Sequence, residues 1–259
     1  MAETLAGKWV LITGASSGFG AAGALAFASQ KARLLLGARR VDRLEAVANQ
    51  AKAAGAEHAL VHPLDVASTA SVNEFAAWAQ EITPHVDVLV NNAGGAHGME
   101  TVAEGKDEDW EAMLQSNVLG VLRVTRAVLP LMLPRRSGII INIGSIAGRV
   151  VYEGGAAYCA AKAGELQITR ALRLELCGTG VRVCTLDPGL AETEFSIVRF
   201  KGDQERAKKV YQGVVALKAE DVADAMVWMA SRPAHVCVDE MILKCTDQAA
   251  IHKVNRRTA

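Results

Sequence analysis

The sequence predicts an α/β fold in which helices cover both faces of a doubly wound parallel sheet of about seven strands. Three observations support this prediction. Short apolar runs alternate with alanine-rich helical stretches along the whole chain. Most of these runs are continuously apolar, which is typical of strands that are covered on both faces. No linker-like stretch, repeat or low-complexity tract divides the chain, so we expect one domain over residues 1–259.

Each apolar run is short enough to form one strand, and a turn signal or a helical stretch follows it. The helix predicted at 42–54 has a start that suits capping, with Asp42 followed by Glu45, and Gly55 suits its end. The strands are predicted at 9–13, 33–37, 59–62, 86–91, 138–144, 181–186 and 236–243. The helices are predicted at 20–30, 42–54, 71–82, 108–133, 156–176 and 220–230.

One segment breaks this alternation. Residues 193–213 carry scattered aromatic side chains among charged ones, and a connection of this length is a candidate lid over a substrate pocket. An ordinary surface excursion is the alternative interpretation. The C-terminal tail, residues 246–259, ends in a polar and basic stretch. It is expected either to be disordered or to contact a neighbouring subunit.

Composition excludes several classes of function. The 28 basic and 28 acidic side chains give a formal net charge of zero, so we expect binding neither to nucleic acid nor to an anionic membrane. No signal peptide is recognisable, and no apolar run approaches the ~18–20 residues that span a bilayer. Five cysteines without a Cys-x-x-Cys pair predict reduced thiols in a cytoplasmic protein. We predict no metal site.

A glycine-rich turn joins the first predicted strand to the first helix. In Thr-Gly-Ala-Ser-Ser-Gly-Phe-Gly (13–20), the glycines suit a tight turn, the approach of a pyrophosphate and close packing of helix on strand. The helix N-terminus then offers N–H groups to the phosphates of a dinucleotide. We expect cofactor contacts from Gly14, Ser16, Ser17, Gly18, Phe19 and Gly20.

The end of the second strand indicates which dinucleotide is bound. An NAD site would carry a carboxylate here to hold the ribose 2′-hydroxyl. This chain instead has Arg39 and Arg40, whose guanidiniums suit a 2′-phosphate or the adenine ring. The alternative is a solvated basic turn, but we favour NADP(H).

Further cofactor contacts are predicted where later strands end, because open α/β sheets bind ligands at the carboxyl ends of their strands. An Asp carboxylate there can accept a hydrogen bond from the adenine amino group, and small residues permit close approach to adenine and ribose. The residues concerned are Asp65, Val66, Asn91, Ala93, Gly94, Pro188, Gly189 and Thr193.

Tyr158 and Lys162 lie four residues apart in a predicted helix and therefore project from one face. A neighbouring ammonium favours the phenolate and lowers the pKa of the phenol. Ser145, at the end of an apolar strand, can hydrogen-bond a carbonyl oxygen. Together these residues suit proton transfer at a carbonyl or alcohol oxygen.

Taken together, these motifs resemble the short-chain dehydrogenase/reductase family, which has a Rossmann-type fold. The resemblance rests on residues 13–20, Asn91-Asn-Ala-Gly94, Asn117, Ser145, Tyr158-x-x-x-Lys162, and Pro188-Gly189 with Thr193. It implies Tyr158 as catalytic acid/base, Ser145 as the donor to the substrate oxygen, and Lys162 as activator of the phenol and ligand of the ribose. It also implies Asn117 in a water-linked proton relay and Thr193 at the nicotinamide carboxamide. Read alone, Asn117 would indicate a helix irregularity or a structural hydrogen bond.

The segment 188–203 further resembles NADP-dependent 3-hydroxy acid dehydrogenases, which act on serine, L-allo-threonine and 3-hydroxypropionate. Residues 155–162 depart from the usual pattern of that group. The resemblance implies a small 3-hydroxy acid or semialdehyde as substrate, for which Arg149 or Arg199 would meet the carboxylate; surface charges are the alternative for both. A reductase of bulkier carbonyl compounds and a non-catalytic NADP-binding sensor or scaffold are the competing functions.

The oligomeric state is also an expectation of the sequence and the resemblance. The predicted helices 108–133 and 156–176 carry apolar residues on several faces, as buried or interface helices do. Members of the family are commonly tetramers or dimers, so we expect a homo-oligomer, with a homotetramer as the first choice.

Overall fold

In the computed structural model, which describes residues 2–257, all seven predicted strands belong to one parallel sheet. The spatial order is β3-β2-β1-β4-β5-β6-β7, so the direction of winding reverses between β1 and β4. This reversal places the carboxyl ends of β1 and β4 beside each other. The strands are β1 (Trp9–Thr13), β2 (Arg33–Ala38), β3 (His58–Pro63), β4 (Val88–Asn91), β5 (Gly138–Ile143), β6 (Val181–Pro188) and β7 (Glu240–Leu243).

Helices cover both faces of the sheet, as predicted. Successive residues of β1 face opposite sides: Ile12 packs in one core cluster with Phe27 and Met226, and Leu11 packs in the other with Phe75. The helices are α1 (Gly18–Ser29), α2 (Val41–Ala53), α3 (Thr69–Ile82), α4 (Asp107–Leu114), α5 (Gly120–Val128), α6 (Ala156–Glu175), α7 (Phe195–Arg199), α8 (Gln204–Tyr211) and α9 (Ala219–Ala230).

Two helix predictions need correction. The helix expected from Asp42 begins at Val41, after Arg40, with no side-chain cap, so the predicted capped start is wrong. The helix predicted at 108–133 is interrupted by a π-helical turn, Gln115–Leu119, and ends as α5 at Val128. Two 3₁₀ turns with proline near their first positions follow, because proline has no N–H to continue an α-helix.

The segment 193–213 is folded rather than irregular, since it contains α7 and α8. The Ser196 and Tyr211 hydroxyls share a hydrogen bond of 2.6 Å, which joins α7 to α8. Asp203 caps α8. We call residues 193–213 the lid, because its first helix lies over the candidate site described below.

The described part of the tail packs on its own chain. It forms a hairpin of β8 (Gln248–Ala250) and β9 (Lys253–Val254). Arg256 then donates to the backbone carbonyls of Gln212 and Val210 at the end of the lid. The final two residues of the predicted tail, Thr258 and Ala259, lie outside the described residues. Within residues 2–257, no helix has both the length and the apolar character required to cross a membrane.

Candidate active site

The glycine-rich turn after β1 has the backbone shape that the sequence predicts. Gly14 and Gly18 have φ angles of +65° and +53°, which side-chain-bearing residues rarely adopt. A Cβ atom at Gly20 would collide with the backbone oxygen of Gly14. Only glycine therefore lets α1 start this close to β1, with its N–H groups directed at the turn. Ser16 lies half-buried in the turn, whereas the Phe19 side chain packs against the core.

Asn92, which the sequence analysis did not single out, holds this turn in place. Its Nδ2 donates to the backbone oxygens of Thr13 at 2.9 Å and Gly14 at 3.2 Å. The Thr13 hydroxyl in turn accepts from the backbone N–H groups of Asn92 and Ala93, both at 3.0 Å. The doubled asparagine at a strand end was the available signal. Asn92 thus ties the end of β4 to the turn after β1.

Asn91 is a predicted cofactor contact, but its side chain does not face the predicted cofactor site. The residue is 4% exposed, and its Nδ2 donates to Asn142 at 2.8 Å and to Thr125 at 3.0 Å. Asn142 continues this chain of hydrogen bonds to Thr169 in α6. The Asn91 amide is therefore part of the core, because it points toward α5 and α6 rather than toward the carboxyl edge.

A basic cluster lies beside the glycine-rich turn. Arg39 is exposed, and Arg40 donates to the Ser17 hydroxyl at 2.6 Å. Arg43, which the sequence analysis did not include, joins Arg40 in ion pairs with Glu194 of the lid. This cluster can hold a phosphate group.

The other predicted cofactor residues lie at or just beyond strand ends. Asp65 follows β3 and accepts a hydrogen bond from the N–H of Ala67. Val66 is buried against Gly120. Pro188 ends β6, and Gly189 follows it, held by the backbone of β7. A Cβ at Gly18 would lie 3.7 Å from the Cβ of Thr193, so the start of the lid borders the glycine turn.

Ser145, Tyr158 and Lys162 are positioned by β5 and α6. Ser145 follows the last residues of β5, and its hydroxyl accepts from the N–H of Ala147. Burial raises the pKa of Tyr158, against opposing effects of the hydrogen bond with Ser145 and the charge of Arg199. The phenol therefore retains its proton at neutral pH.

Lys162 makes a different contact from the one expected. Its Nζ donates to the backbone oxygen of Ile143 at 2.7 Å, deep at the end of β5. Burial lowers the pKa of Lys162, whereas the nearby carboxylates of Glu165 and Asp187 oppose this effect. The predicted lowering of the phenol pKa is not what the structure shows, because desolvation of Tyr158 dominates.

Asn117 lies in the π-helical turn and is 1% exposed. Its Nδ2 donates to the backbone oxygens of Gly95 and Met113, both at 2.8 Å, and its Oδ1 accepts from the N–H of Gly95. These are the helix irregularity and the structural hydrogen bonds that the residue indicated when read alone. They fix the loop after β4, next to Gly94.

The lid places two side chains of α7 against Tyr158. The rings of Phe195 and Tyr158 have centroids 5.6 Å apart. The Cζ of Arg199 lies 5.7 Å from the centroid of the Tyr158 ring and 5.3 Å from that of Tyr152. Arg199 also donates from Nε to the backbone oxygen of Gly98 at 3.0 Å. Residues 195 and 199 thus cover the Tyr158 ring.

Two polar atoms in this cluster have no hydrogen-bond partner among the described residues. They are the buried Nη2 of Arg199 and the buried hydroxyl of Tyr152. Burying the Nη2 group of a guanidinium and a hydroxyl without hydrogen-bond partners costs free energy, which a bound anion would offset. Tyr152 gives little signal in the sequence, where it is only an aromatic residue six positions before Tyr158.

Arg149, the other candidate for a substrate carboxylate, is already paired. Its guanidinium donates to Asp187 and lies 2.7 Å from the Glu240 carboxylate. The hydrogen bond from Arg170, with those from Arg149, lowers the pKa of Glu240 to about 2. Arg149 therefore forms ion pairs with carboxylates of β6 and β7. The structure does not place it beside Tyr158.

Glu165 is a buried acid that the sequence analysis did not assign. It is 1% exposed; Oε1 accepts from Thr169, and Oε2 has no partner in the described part of the chain. A Cβ at Gly144 would meet oxygens of Asp187, Thr185 and Glu165, so these three side chains converge at Gly144. The Glu165 and Asp187 carboxylates are also close enough to Lys162 to affect its pKa. Burial raises the pKa of Glu165, with Lys162 opposing and Asp187 reinforcing this effect.

Comparison with known proteins finds one family that the chain resembles over most of its length. The model of the family described as short chain dehydrogenase matches residues 8–204. A protein of Schizosaccharomyces pombe named NADP-dependent 3-hydroxy acid dehydrogenase is 39% identical over 256 residues, which are 98% of this chain and 99% of that protein. A protein of the same description from Salmonella typhi is 44% identical over 231 residues, 89% of this chain and 92% of that one.

Two solved structures are also similar to this chain over most of its length. The closed form of a serine dehydrogenase complexed with NADP⁺ has a TM-score of 0.89 and 41% identity, and the match covers 96% of this chain and all of that one. The serine dehydrogenase of Escherichia coli has a TM-score of 0.80 and 36% identity, covering 93% of this chain and 99% of that one.

Proposed function

Since the chain belongs to the short-chain dehydrogenase family, we propose that it is an NADP(H)-dependent oxidoreductase acting on a small 3-hydroxy acid or the corresponding semialdehyde. It interconverts the carbonyl and alcohol forms of this substrate. The relatives named as NADP-dependent 3-hydroxy acid dehydrogenases support both the cofactor and the substrate class.

The residues present fit NADP(H). The glycine-rich turn leads directly into the N-terminus of α1, whose N–H groups can bind a pyrophosphate. The guanidiniums of Arg39 and Arg40 occupy the position where an NAD site carries an acid. The other proposed cofactor ligands lie at the carboxyl ends of β3, β4 and β6, and Lys162 is the ribose ligand. When bound, NADP(H) supplies or accepts the hydride.

The chain's own residues then handle the substrate oxygen and its proton. Tyr158 donates a proton to the carbonyl oxygen during reduction and removes it from the alcohol during oxidation. Ser145 hydrogen-bonds the same oxygen and orients it. Because burial raises the pKa of Tyr158, the protonated form needed for reduction is available at neutral pH. Asn117 keeps its family-implied place in the proton relay as part of this proposal.

The observation that carries the substrate class is the unpartnered Nη2 of Arg199 beside Tyr158. Arg199 lies on the lid together with Phe195, so a substrate held at Tyr158 meets both a cation and an apolar wall. We propose that Arg199 and the Tyr152 hydroxyl bind the substrate carboxylate. A bulkier neutral ketone would leave the buried Nη2 of Arg199 without a hydrogen-bond acceptor, which disfavours the alternative reductase.

A non-catalytic NADP-binding protein would not need the tyrosine, lysine and serine at one site. Ser145 lowers the pKa of Tyr158 and therefore lies near its phenol, and Lys162 lies on the same helix as Tyr158. This arrangement supports the enzyme over the sensor or scaffold.

A substrate panel tests the proposal. Purified protein is assayed with NADP⁺ and with NAD⁺ on serine, allo-threonine and 3-hydroxypropionate, and with NADPH on semialdehydes and simple ketones. We expect the highest kcat/KM for a 3-hydroxy acid with NADP⁺, and at least about tenfold less with NAD⁺ because the 2′-phosphate contacts are lost. Higher activity on large neutral ketones would contradict the proposal, and NADPH binding without turnover on any substrate would support the scaffold alternative.

We further propose that the enzyme is a cytoplasmic homo-oligomer, with a tetramer as the first expectation. The five cysteines are free, which suits a reducing compartment. Exposed leucines lie where the sequence predicts interface helices: Leu114, Leu119 and Leu122 around α4 and α5, and Leu174 on α6. A second copy of the chain would cover these side chains. Light scattering of the purified protein should give a multiple of 27.4 kDa, and a monomer would contradict this assignment.

A further inference from the structure

Glu194 of the lid binds the basic cluster beside the glycine-rich turn. Its carboxylate accepts from Nη1 of Arg43 at 2.8 and 3.1 Å and from Nη1 of Arg40 at 3.1 Å. Partial burial opposes ionisation, but the hydrogen bond from Arg40 and the charges of both arginines lower the pKa of Glu194. Glu194 is therefore an anion held by two guanidiniums that come from a distant part of the chain.

The same two arginines are well placed for an anion of the cofactor. Arg40 follows β2, where a dinucleotide site recognises the substituent on the ribose 2′-position. Its other Nη donates to Ser17, inside the glycine-rich turn. Arg43 lies one turn further along, in α2. These three side chains form one anion site that borders the turn on one side and the lid on the other.

Building on the proposed function, we propose that Glu194 and the 2′-phosphate of NADP(H) compete for this site. A carboxylate and a phosphate use the same donors of a guanidinium fork, and two anions at one fork repel each other. The 2′-phosphate must therefore displace Glu194, so NADP(H) breaks the ion pairs that join Glu194 to Arg40 and Arg43. An NAD(H) molecule, which has no 2′-phosphate, leaves the contact of Glu194 intact.

The size of the effect follows from the exposure of the groups. The side chains of Arg40, Glu194 and Arg43 are 41%, 43% and 48% exposed, so their ion pairs are partly screened by water. Ion pairs of this kind contribute up to about 1 kcal/mol each, which corresponds to about fivefold in affinity per pair. We expect Glu194→Gln to tighten binding of a 2′-phosphorylated ligand by about 3- to 10-fold.

The test uses 2′,5′-ADP, which carries the 2′-phosphate but no nicotinamide, and ADP as its counterpart without that phosphate. Calorimetry on the full chain should give a lower Kd for 2′,5′-ADP with Glu194→Gln than with the wild type, and an unchanged Kd for ADP. Glu192→Gln is the matched control, because Glu192 is exposed two residues away and has no ion pair among residues 2–257. Arg43→Gln should weaken 2′,5′-ADP binding and reduce the gain from Glu194→Gln.

A second readout follows the lid itself. Hydrogen exchange of residues 193–199 should increase when 2′,5′-ADP binds the wild type, and should not change when ADP binds. Weaker binding of 2′,5′-ADP by Glu194→Gln would overturn the competition, because Glu194 would then orient the arginines for the phosphate. Equal binding would also overturn it, because Glu194 would then have no effect on the affinity. If the wild type binds neither 2′,5′-ADP nor NADPH, both this inference and the proposed cofactor are wrong. Normal binding that does not respond to Glu194→Gln overturns the inference alone.

Discussion

The cofactor-binding half and the lid are held together in different ways. The glycine-rich turn depends on local backbone geometry, with α1 starting directly after β1 and Asn92 closing the turn from β4. The lid is joined to the rest of the protein by contacts between residues far apart in sequence. Arg199 reaches Gly98, Glu194 reaches Arg40, and Lys201 pairs with Asp109 at 2.7 Å.

This difference predicts different roles in binding for the two regions. A turn built from backbone and buried hydrogen bonds binds its ligand with little reorganisation. A short helix held by partly exposed ion pairs can open and close at small cost in free energy. Substitutions in the cofactor half should therefore reduce binding or stability generally, whereas substitutions in the lid should change selectivity.

Replacement of the proposed catalytic acid, Tyr158, should have the largest effect, since its ring lies against the lid. In Tyr158→Phe, kcat should fall by about 10³-fold or more, because positioned proton transfer contributes about 10²–10⁴-fold and phenylalanine has no proton to transfer. The Kd for NADPH, measured by fluorescence, should stay within about twofold of the wild type. Turnover close to that of the wild type would remove Tyr158 from its proposed role.

The next largest effect is expected in the cofactor half, with Asn92→Ala. This change removes two hydrogen bonds to the turn after β1 and leaves the Thr13 and Gly14 oxygens without that donor. We expect the free energy of unfolding to fall by about 1–3 kcal/mol and the Kd for NADPH to rise. Asn255→Ala is the control, because Asn255 makes one long, exposed hydrogen bond to Asp247. Equal effects of the two variants would show that Asn92 does not support the turn.

A smaller effect, one that depends on pH, is expected from Glu165→Gln. Because burial raises the pKa of Glu165, folding disfavours its ionised form. The destabilisation is absent below the unfolded-state pKa of about 4.3 and grows as pH rises above it, by about 1.4 kcal/mol for each unit of pKa elevation. Glutamine has no proton to lose, so the variant should gain stability relative to the wild type between pH 5 and pH 8.

Urea unfolding at both pH values measures this difference. Glu175→Gln, on the same helix but exposed, is the control and should give no such trend. The opposite result is that the wild type keeps the same stability relative to Glu165→Gln as pH rises. It would mean that Glu165 ionises freely in the folded protein.

The sequence predicted the glycine-rich turn better than the contacts between distant segments, because the turn forms from residues that are near neighbours in the chain. The strand, glycine turn and helix of residues 9–29 form through contacts between near neighbours, and Tyr158 and Lys162 share a helix face by periodicity alone. Asn92 was missed because its partner, Thr13, lies 79 residues earlier. The burial of Glu165 and Tyr152 likewise depends on packing between distant segments. Arg149 was a wrong candidate because its distance from Ser145 in sequence does not reveal that Asp187 and Glu240 lie beside it.

The central claim is that the lid selects an acid through Arg199, and one comparison tests it most directly. The kcat/KM of the wild type and of Arg199→Met is measured on 3-hydroxypropionate and on its uncharged methyl ester, with NADP⁺. Both substrates report any general damage to the lid, including loss of the hydrogen bond to Gly98, so the ratio of acid to ester isolates the charge. Arg206→Met is the control, since Arg206 lies over the Phe200 ring elsewhere in the lid.

We predict that Arg199→Met lowers this ratio by about 10²-fold, as expected for loss of a charge-assisted hydrogen bond of roughly 3 kcal/mol, and that Arg206→Met leaves it unchanged. A ratio that Arg199→Met does not alter would contradict the account, because the carboxylate would then be recognised elsewhere or not at all.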